Sequence, residues 1–509
     1  MGSSTAVASS SRTPYFSLAS VPQELTEHIL KFCHPRDFAS LSETCTTLRN
    51  IVYNEDDYIW RMAFLMYPFD DMRLSLDVEA VGGSAAKGSE LKDKMKTKLN
   101  WRKELQRRVF AEGVLRRPSE DAKLDGRKLL KAIEILNDAV DSAAPAASSF
   151  ISASSRPDDT DISYNLAWAE DTLLHSKVFE APPASVMEMI DSDPIVEEKL
   201  ERLRSRLRCY LSLAHETGIA RDSEERLRRL RIAARCFVYD LGHYCDQTRW
   251  GPYKLLSRPS NQVLSAASGD GKYANEVNKE PVLVVNWEHV EHVRNVVYMN
   301  LRELPGYWRS SVVPTFDIQA TRPWSAPGYL SETRNPRDWA GVEGVWRRVV
   351  CFMDYRDLFS FNYTSMQEMR LHPTYFDGDF SEATRVVEAQ FVFDEEASLA
   401  TELEEDDDPS YPPVAFSGLA RGVHLTRQSH VRGTIRKKKD YIRWSFITTH
   451  DRSQWAAEGV QVGGVGSAMG VAGIWTVAVH EEEGDPAGPF WMWKADQSLP
   501  ENMLVLHDS

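Results

Sequence analysis

The chain has 509 residues, more than a single hydrophobic core usually serves, so two to four domains are expected. Its 42% hydrophobic content and 14 Trp exclude wholesale disorder. A formal charge of −15, from 75 acidic against 60 basic residues, argues against general nucleic-acid binding and favours protein partners.

Cys33, Cys45, Cys209, Cys236, Cys245 and Cys351 are scattered and form no dense disulfide framework. Residues 1–16 read as a disordered tail without the basic and apolar regions of a secretory signal, so a cytoplasmic or nuclear location is expected.

Residues 17–70 carry a dense helical pattern. Leu25, Ile29 and Phe32 share one face of a first helix, and Pro22 suits its first turn because a missing N–H costs nothing there. Phe38, Leu41, Cys45, Leu48 and Val52 continue at three- and four-residue spacings, which predicts a helix pair packed on the first. Tyr58-x-Trp60-Arg61 closes the segment.

The order Val21-Pro22, Leu25, Ile29-Leu30, Asp37-Phe38, Leu41-Ser42, Cys45, Leu48-Arg49, Val52 and Trp60-Arg61 resembles the F-box family. Val21 replaces the usual Leu, and Phe38 stands where Leu is common; both keep apolar bulk. In that family a three-helix box packs on a Skp-type adaptor, which hangs from a cullin. The resemblance implies adaptor contacts at Val21, Pro22, Leu25, Ile29, Leu30 and Leu41, with Cys45, Leu48, Val52 and Trp60 holding the box together. It implies a non-catalytic substrate receptor of an SCF-type ubiquitin ligase, with a Skp-type adaptor, a cullin and a protein substrate as partners.

Beyond the box, 71–140 reads as a helical connector, with helices expected at Lys92–Phe110 and Gly126–Val140. The Ala, Ser and Pro bias of 141–160 predicts a flexible linker. A helical middle domain follows over 161–303, with long helices at Pro194–His215 and Asp222–His243. Within it, Ala233-Ala-Arg235-x-Phe-Val-Tyr-Asp240, Trp250-Gly-Pro252 and Val285-Asn-Trp287-x-His-Val290 look like the middle region of long fungal F-box proteins.

After an irregular connector at 304–338 the period changes to two. Strands are expected at Val345–Phe352, Arg385–Phe393, Ile442–Thr449, Gly459–Val462, Ile474–Val479 and Phe490–Lys494. Gly344-Val-Trp346 and Gly488-Pro-Phe-Trp491 look like the β-rich substrate regions of related members. The fold class expected is α+β and multidomain: a helical box, a helical middle, and an antiparallel β barrel or sandwich over 339–509.

Gly459–Val479 runs 21 residues without a charge, the length of a bilayer span, but its six Gly and alternating tail predict strands and turns instead. No membrane is therefore expected as a partner. Cys236, His243 and Cys245 lack the spacing of a metal site, and Gly464-Val-Gly466-Ser-Ala-Met-Gly470 lacks that of a dinucleotide loop. With no phosphate-loop, nucleophile-elbow or zinc-helix motif, no catalytic residue, metal or cofactor is expected.

Glu402–Asp408 and the following Pro409-Ser-Tyr-Pro-Pro413 read as an acidic loop between strands, because clustered like charges and Pro cannot pair in a sheet interior, and Arg436–Lys439 as a solvated turn. Asp354, Tyr355 and Arg356, directly after a strand, are the candidate substrate-binding loop residues. Two other functions fit the same sequence: a cullin-independent F-box scaffold, and an enzyme whose site in the β domain has no linear motif.

Overall fold

The computed structural model describes residues 18–54, 56–74, 99–116, 124–146, 162–176, 190–191, 194–211, 224–256, 281–304, 317–331, 333–363, 373–377, 382–423, 427–480 and 485–499. The N-terminal segment forms α1 (Gln23–Leu30), α2 (Pro35–Ser42) and α3 (Thr46–Val52), followed by a fourth helix, α4 (Tyr58–Met66).

Local chemistry sets these boundaries. His34 Nδ1 accepts the Arg36 N–H at 3.2 Å while Asp37 accepts the His34 N–H at 3.1 Å, a reciprocal cap that starts α2 with Pro35 in its first turn. Trp60 of α4 is fully buried, meets Phe38 edge-on with 5.1 Å between ring centroids, and donates its indole N–H to the Val52 carbonyl at 2.8 Å. That bond satisfies the polar atom of a large core ring, so α4 locks the first three helices together.

The box is joined to the rest by a buried polar hub. Asp70 accepts from the backbone N–H of Ala144 at 2.8 Å, from that of Tyr164 at 2.7 Å, and from the Ser163 hydroxyl at 2.5 Å. Beside it Arg108 of α5 (Trp101–Leu115) lies 4.6 Å from the Phe69 ring and 5.1 Å from the Phe64 ring, and bonds Glu104 at 3.0 Å. Such a network costs heavily if half made, so its completeness fixes one arrangement of the segments that meet there.

The flexible linker expected at 141–160 needs correction in its first part. Ala143, Ala144 and Pro145 are buried, and Arg322 donates to the Ala144 and Pro145 carbonyls at 2.9 and 2.7 Å. Small side chains let this strand of backbone lie close under Arg322; composition alone does not reveal the partner. Residues 147–161 lie outside the described residues.

Helices α6 (Gly126–Asp141), α7 (Tyr164–Leu174), α8 (Pro194–Leu211), α9 (Glu224–Val238) and α10 (Trp287–Glu303) build the middle. The helix expected to reach His243 stops at Val238, and Leu241–His243 is a separate single turn. Two short sheets accompany them: β1 (Leu124–Asp125) with β2 (Ile190–Asp191), and β3 (Tyr253–Leu256) with β4 (Val282–Val285).

The C-terminal part is a closed antiparallel barrel. Its strands are β5 (Gly344–Phe352), β6 (Ala383–Asp394), β7 (Val414–Gly422), β8 (Gln428–Lys437), β9 (Ile442–His450), β10 (Ser453–Gln461), β11 (Val471–Val477) and β12 (Ala487–Lys494). Each pairs with the next, and β12 closes on β5.

Helix α10 packs on the barrel's outer face, where Arg294 stacks 4.5 Å over the Trp491 ring and Asn300 bonds Glu382 at 2.7 Å. One apolar core consequently runs from Phe38 in the box to Trp491 and Trp493 on the outside of the barrel. The uncharged stretch 459–479 becomes the end of β10, a Gly-rich loop and β11; among the described residues no helix is long and apolar enough to cross a membrane.

Candidate binding surfaces

On the box, Leu25, Ile29 and Phe32 are 55%, 46% and 65% exposed, a run of large apolar side chains in which the Phe32 ring meets the neighbouring His28 ring and Lys31 ammonium. Pro22 is exposed, and Val21 and Leu41 are half-buried. Leu30 does not belong with them: it is buried in the core, because the helical step after Ile29 turns it about 100° inward. Leu48, Val52 and Trp60 are buried and Cys45 is half-buried just before α3.

The second surface is the barrel interior. Strand alternation sends Trp346, Phe391, Phe416, Trp444, Phe446, Phe490 and Met492 inward, where they pack as one cluster. One end of the barrel is plugged. Trp324 and Tyr329 from the irregular connector, and Trp339 and Val342 just after it, join that cluster, with Tyr329 donating to the Trp339 carbonyl at 2.6 Å. Gly470 at this end has φ +70, and a Cβ there would meet the Met492 carbonyl oxygen at 2.0 Å, so only Gly fits.

The acidic loop closes over the same end. Lys438 is buried, and its ammonium lies 2.7 Å from Glu404, 2.5 Å from Asp406 and 2.7 Å from Asp407, while Arg436 lies 2.5 Å from Asp407. Burial raises the Glu404 and Asp407 carboxyls, but the Lys438 hydrogen bonds override it and hold both below their ordinary range. The acidic loop lies between β6 and β7 as expected, but the solvated turn is corrected: Lys438 is buried beneath that loop, and the two neutralise each other. Glu404, Asp406 and Asp407 are also close enough to share a cation, and the Lys438 ammonium occupies that role.

Among the described residues no such plug fills the opposite end. Here Val350, Val387, Thr448, Trp455, Trp475 and Val477 point inward yet remain partly accessible, so side chains do not fill this half of the lumen. Arg348 forms its floor. The guanidinium crosses from β5 to lie 5.0 Å from the Phe446 ring on β9 and 4.6 Å from the Phe490 ring on β12. Its Nε is buried without a hydrogen bond, as is the Thr448 hydroxyl. Desolvation pulls the Arg348 guanidinium down to about 9, leaving it charged at neutral pH.

Asp354, Tyr355 and Arg356 sit at this end, where β5 leaves the barrel, but only Asp354 is in a loop. Tyr355 and Arg356 begin α11 (Tyr355–Tyr363), and Asp354 accepts the Arg356 N–H at 2.9 Å. Leu358 and Phe361 of α11 are buried, and Asn362 bonds the Leu241 N–H at 2.9 Å and the Tyr239 carbonyl at 2.9 Å, which fixes the helix. Tyr355, Phe359 and Tyr363 remain on its exposed side, with centroids 6.4 and 5.0 Å apart in sequence. The sequence pattern gave no hint of Arg348 as a lumen residue, nor of this aromatic row.

A helical box leading into a helical middle and a closed eight-stranded barrel defines an α+β adaptor-like architecture without a described catalytic constellation. Residues 18–66, which hold α1 to α4, match the family model described as F-box-like, so this segment is an F-box-like domain. No curated protein and no solved structure matches it. F-box domains generally bind Skp-type adaptors and are typical of non-catalytic ubiquitin-ligase subunits.

Proposed function

We propose that this chain is the substrate-recognition adaptor of an SCF-type cullin ubiquitin ligase, acting in the cytoplasm or nucleus. The box docks on a Skp-type adaptor, the cullin follows, and the C-terminal region holds a protein substrate. The observation that carries this reading is the exposed Leu25, Ile29 and Phe32 row inside the matched F-box-like segment. An apolar row of this kind gains roughly 25 cal/mol for each Å² that a partner removes from water.

The polar hub at Asp70 and Arg108 supports a further point, because it ties the box to the middle by buried bonds rather than by a loose tether. A substrate held at the barrel then keeps a defined distance from the conjugating enzyme, which raises the effective concentration of its lysine. The conjugating enzyme performs the chemistry, and this chain supplies position.

Co-precipitation of the Skp-type adaptor by full-length protein carrying Leu25→Glu and Ile29→Glu tests the docking face. Loss of the adaptor is expected with an unchanged melting temperature, since both side chains lie outside the core. Retention of the adaptor overturns the reading. Retention of the adaptor by the unmodified chain without a cullin favours a cullin-independent F-box scaffold instead.

A further inference from the structure

We propose that the open half of the barrel is a binding site for a small organic acid: one carboxylate on a narrow apolar body. This goes beyond the adaptor role and does not depend on it. Eight strands close around an interior just wide enough to be filled by side chains or by one small ligand. In this chain the plugged half takes the first course. The open half, above Arg348, takes the second.

The charge pattern of the interior points to an anion. The acidic residues on the eight strands are Glu388, Asp394 and Glu458, and pairing register turns all three outward. Arg348 therefore faces a lumen to which the strands contribute cations and no carboxylate: Lys494 bonds the Gly341 carbonyl at the plugged end, Arg385 lies exposed at the other end over the Phe352 ring, and Arg348 between them makes no ion pair among the described residues. A charge placed in apolar surroundings is expensive unless it is paired.

Arg294, on α10, also lacks a carboxylate partner, but it is fully enclosed against Trp491 and offers no way in. Arg348 differs because it is half-buried and reached from the open end.

The remaining chemistry narrows the class. Trp455 and Trp475, in edge contact with centroids 5.4 Å apart, and Val350 make apolar walls, and the unpartnered Thr448 hydroxyl offers one further hydrogen bond. Arg348 is the cation enclosed by the aromatic rings, and one negative charge matches it. A carboxylate accepts the guanidinium fork in bidentate fashion. A narrow apolar chain then lies against the tryptophans toward the mouth.

Full-length protein titrated with octanoate and with 1-octanol, read by tryptophan fluorescence and calorimetry, tests this. Octanoate is expected to bind with one site per chain, about tenfold or more tighter than octanol, because the charge-assisted bonds are made by the acid alone. Arg348→Met should abolish that preference and leave octanol binding unchanged. Thr448→Val, which keeps shape, should weaken octanoate several-fold and serves if Arg348→Met does not fold. Equal affinity for acid and alcohol in the unmodified chain overturns the proposal, as does undiminished octanoate binding by either folded variant. Co-precipitation of the Skp-type adaptor should be unaltered by Arg348→Met, which separates this site from the docking reading.

Discussion

The two ends of the barrel share eight strands and one closure, yet they are finished in opposite ways. At one end Trp324, Tyr329 and Trp339 fill the lumen, and Glu404, Asp406 and Asp407 surround a buried lysine; every charge has a partner. At the other, side chains stop short of the mouth and Arg348 has no carboxylate. Stability concentrated in one half leaves the other free to keep a polar group that folding alone does not favour. Unmatched groups of that kind are expected where a protein binds something.

Four measurements break or sharpen this contrast. Trp444→Ala, in the filled half, should lose about 3–5 kcal/mol of stability by denaturant unfolding, whereas Trp455→Ala at the mouth should lose about 1 kcal/mol, since the first leaves a cavity and the second only bares a rim. Equal losses would erase the distinction between the ends.

Lys438→Met should cost about 3 kcal/mol, because it strands the buried Asp407 carboxylate. Adding Asp407→Asn should recover part of that loss, a coupling that a double-mutant cycle reads directly.

Acid should open the plugged end first. The Glu404 and Asp407 carboxyls are depressed in the folded chain, so the stability they contribute is present above the ordinary carboxylate range and is lost as pH falls through their folded values. Residues 402–413 should resist proteases at neutral pH and become sensitive to pepsin only below about pH 4. Cleavage there at pH 7 would show the Lys438 clamp to be weak.

The smallest effect is expected from Arg348→Met. Removing an unpaired cation from apolar rings should change unfolding stability by about 0.5 kcal/mol or less, or raise it. A loss as large as that of Lys438→Met would mean that Arg348 serves the fold.

The helical box, the change of period after the connector and six of the eight barrel strands were legible in the sequence, since each depends on a local repeat of apolar residues. Strands β7 and β8 escaped that reading. Their inward positions include Gly418, Ala420 and Gly433, and a Cβ at Gly433 would meet Phe446 Cβ at 2.4 Å; small residues fit the crowded wall but carry no hydrophobic signal.

The turn at Arg436–Lys439 was misread because the carboxylates that bury Lys438 lie far back along the chain, which left it looking like part of a solvated basic run. Arg348 was illegible for a different reason. Trp346, Val350 and Phe352 on one face of β5 and Val345, Val349 and Cys351 on the other are both apolar, and each face holds one arginine. Only the register with β6 and β12 decides which arginine enters the lumen.

The seam between β5 and β12, where Arg348 pairs with Met492, has a kinetic consequence. The barrel is a meander, so seven of its pairings join neighbours in the chain, but the seam spans the whole domain and has no local substitute. During synthesis the ribosome releases β5 long before β12, and the wall cannot close in the interval. The outer side of that late strand also supplies Trp491 and Trp493 to the core under α10. A chain cut short before Ala487 would therefore present two unpaired strand edges and an uncovered helix face at once, a substrate for chaperones or proteases rather than a smaller adaptor.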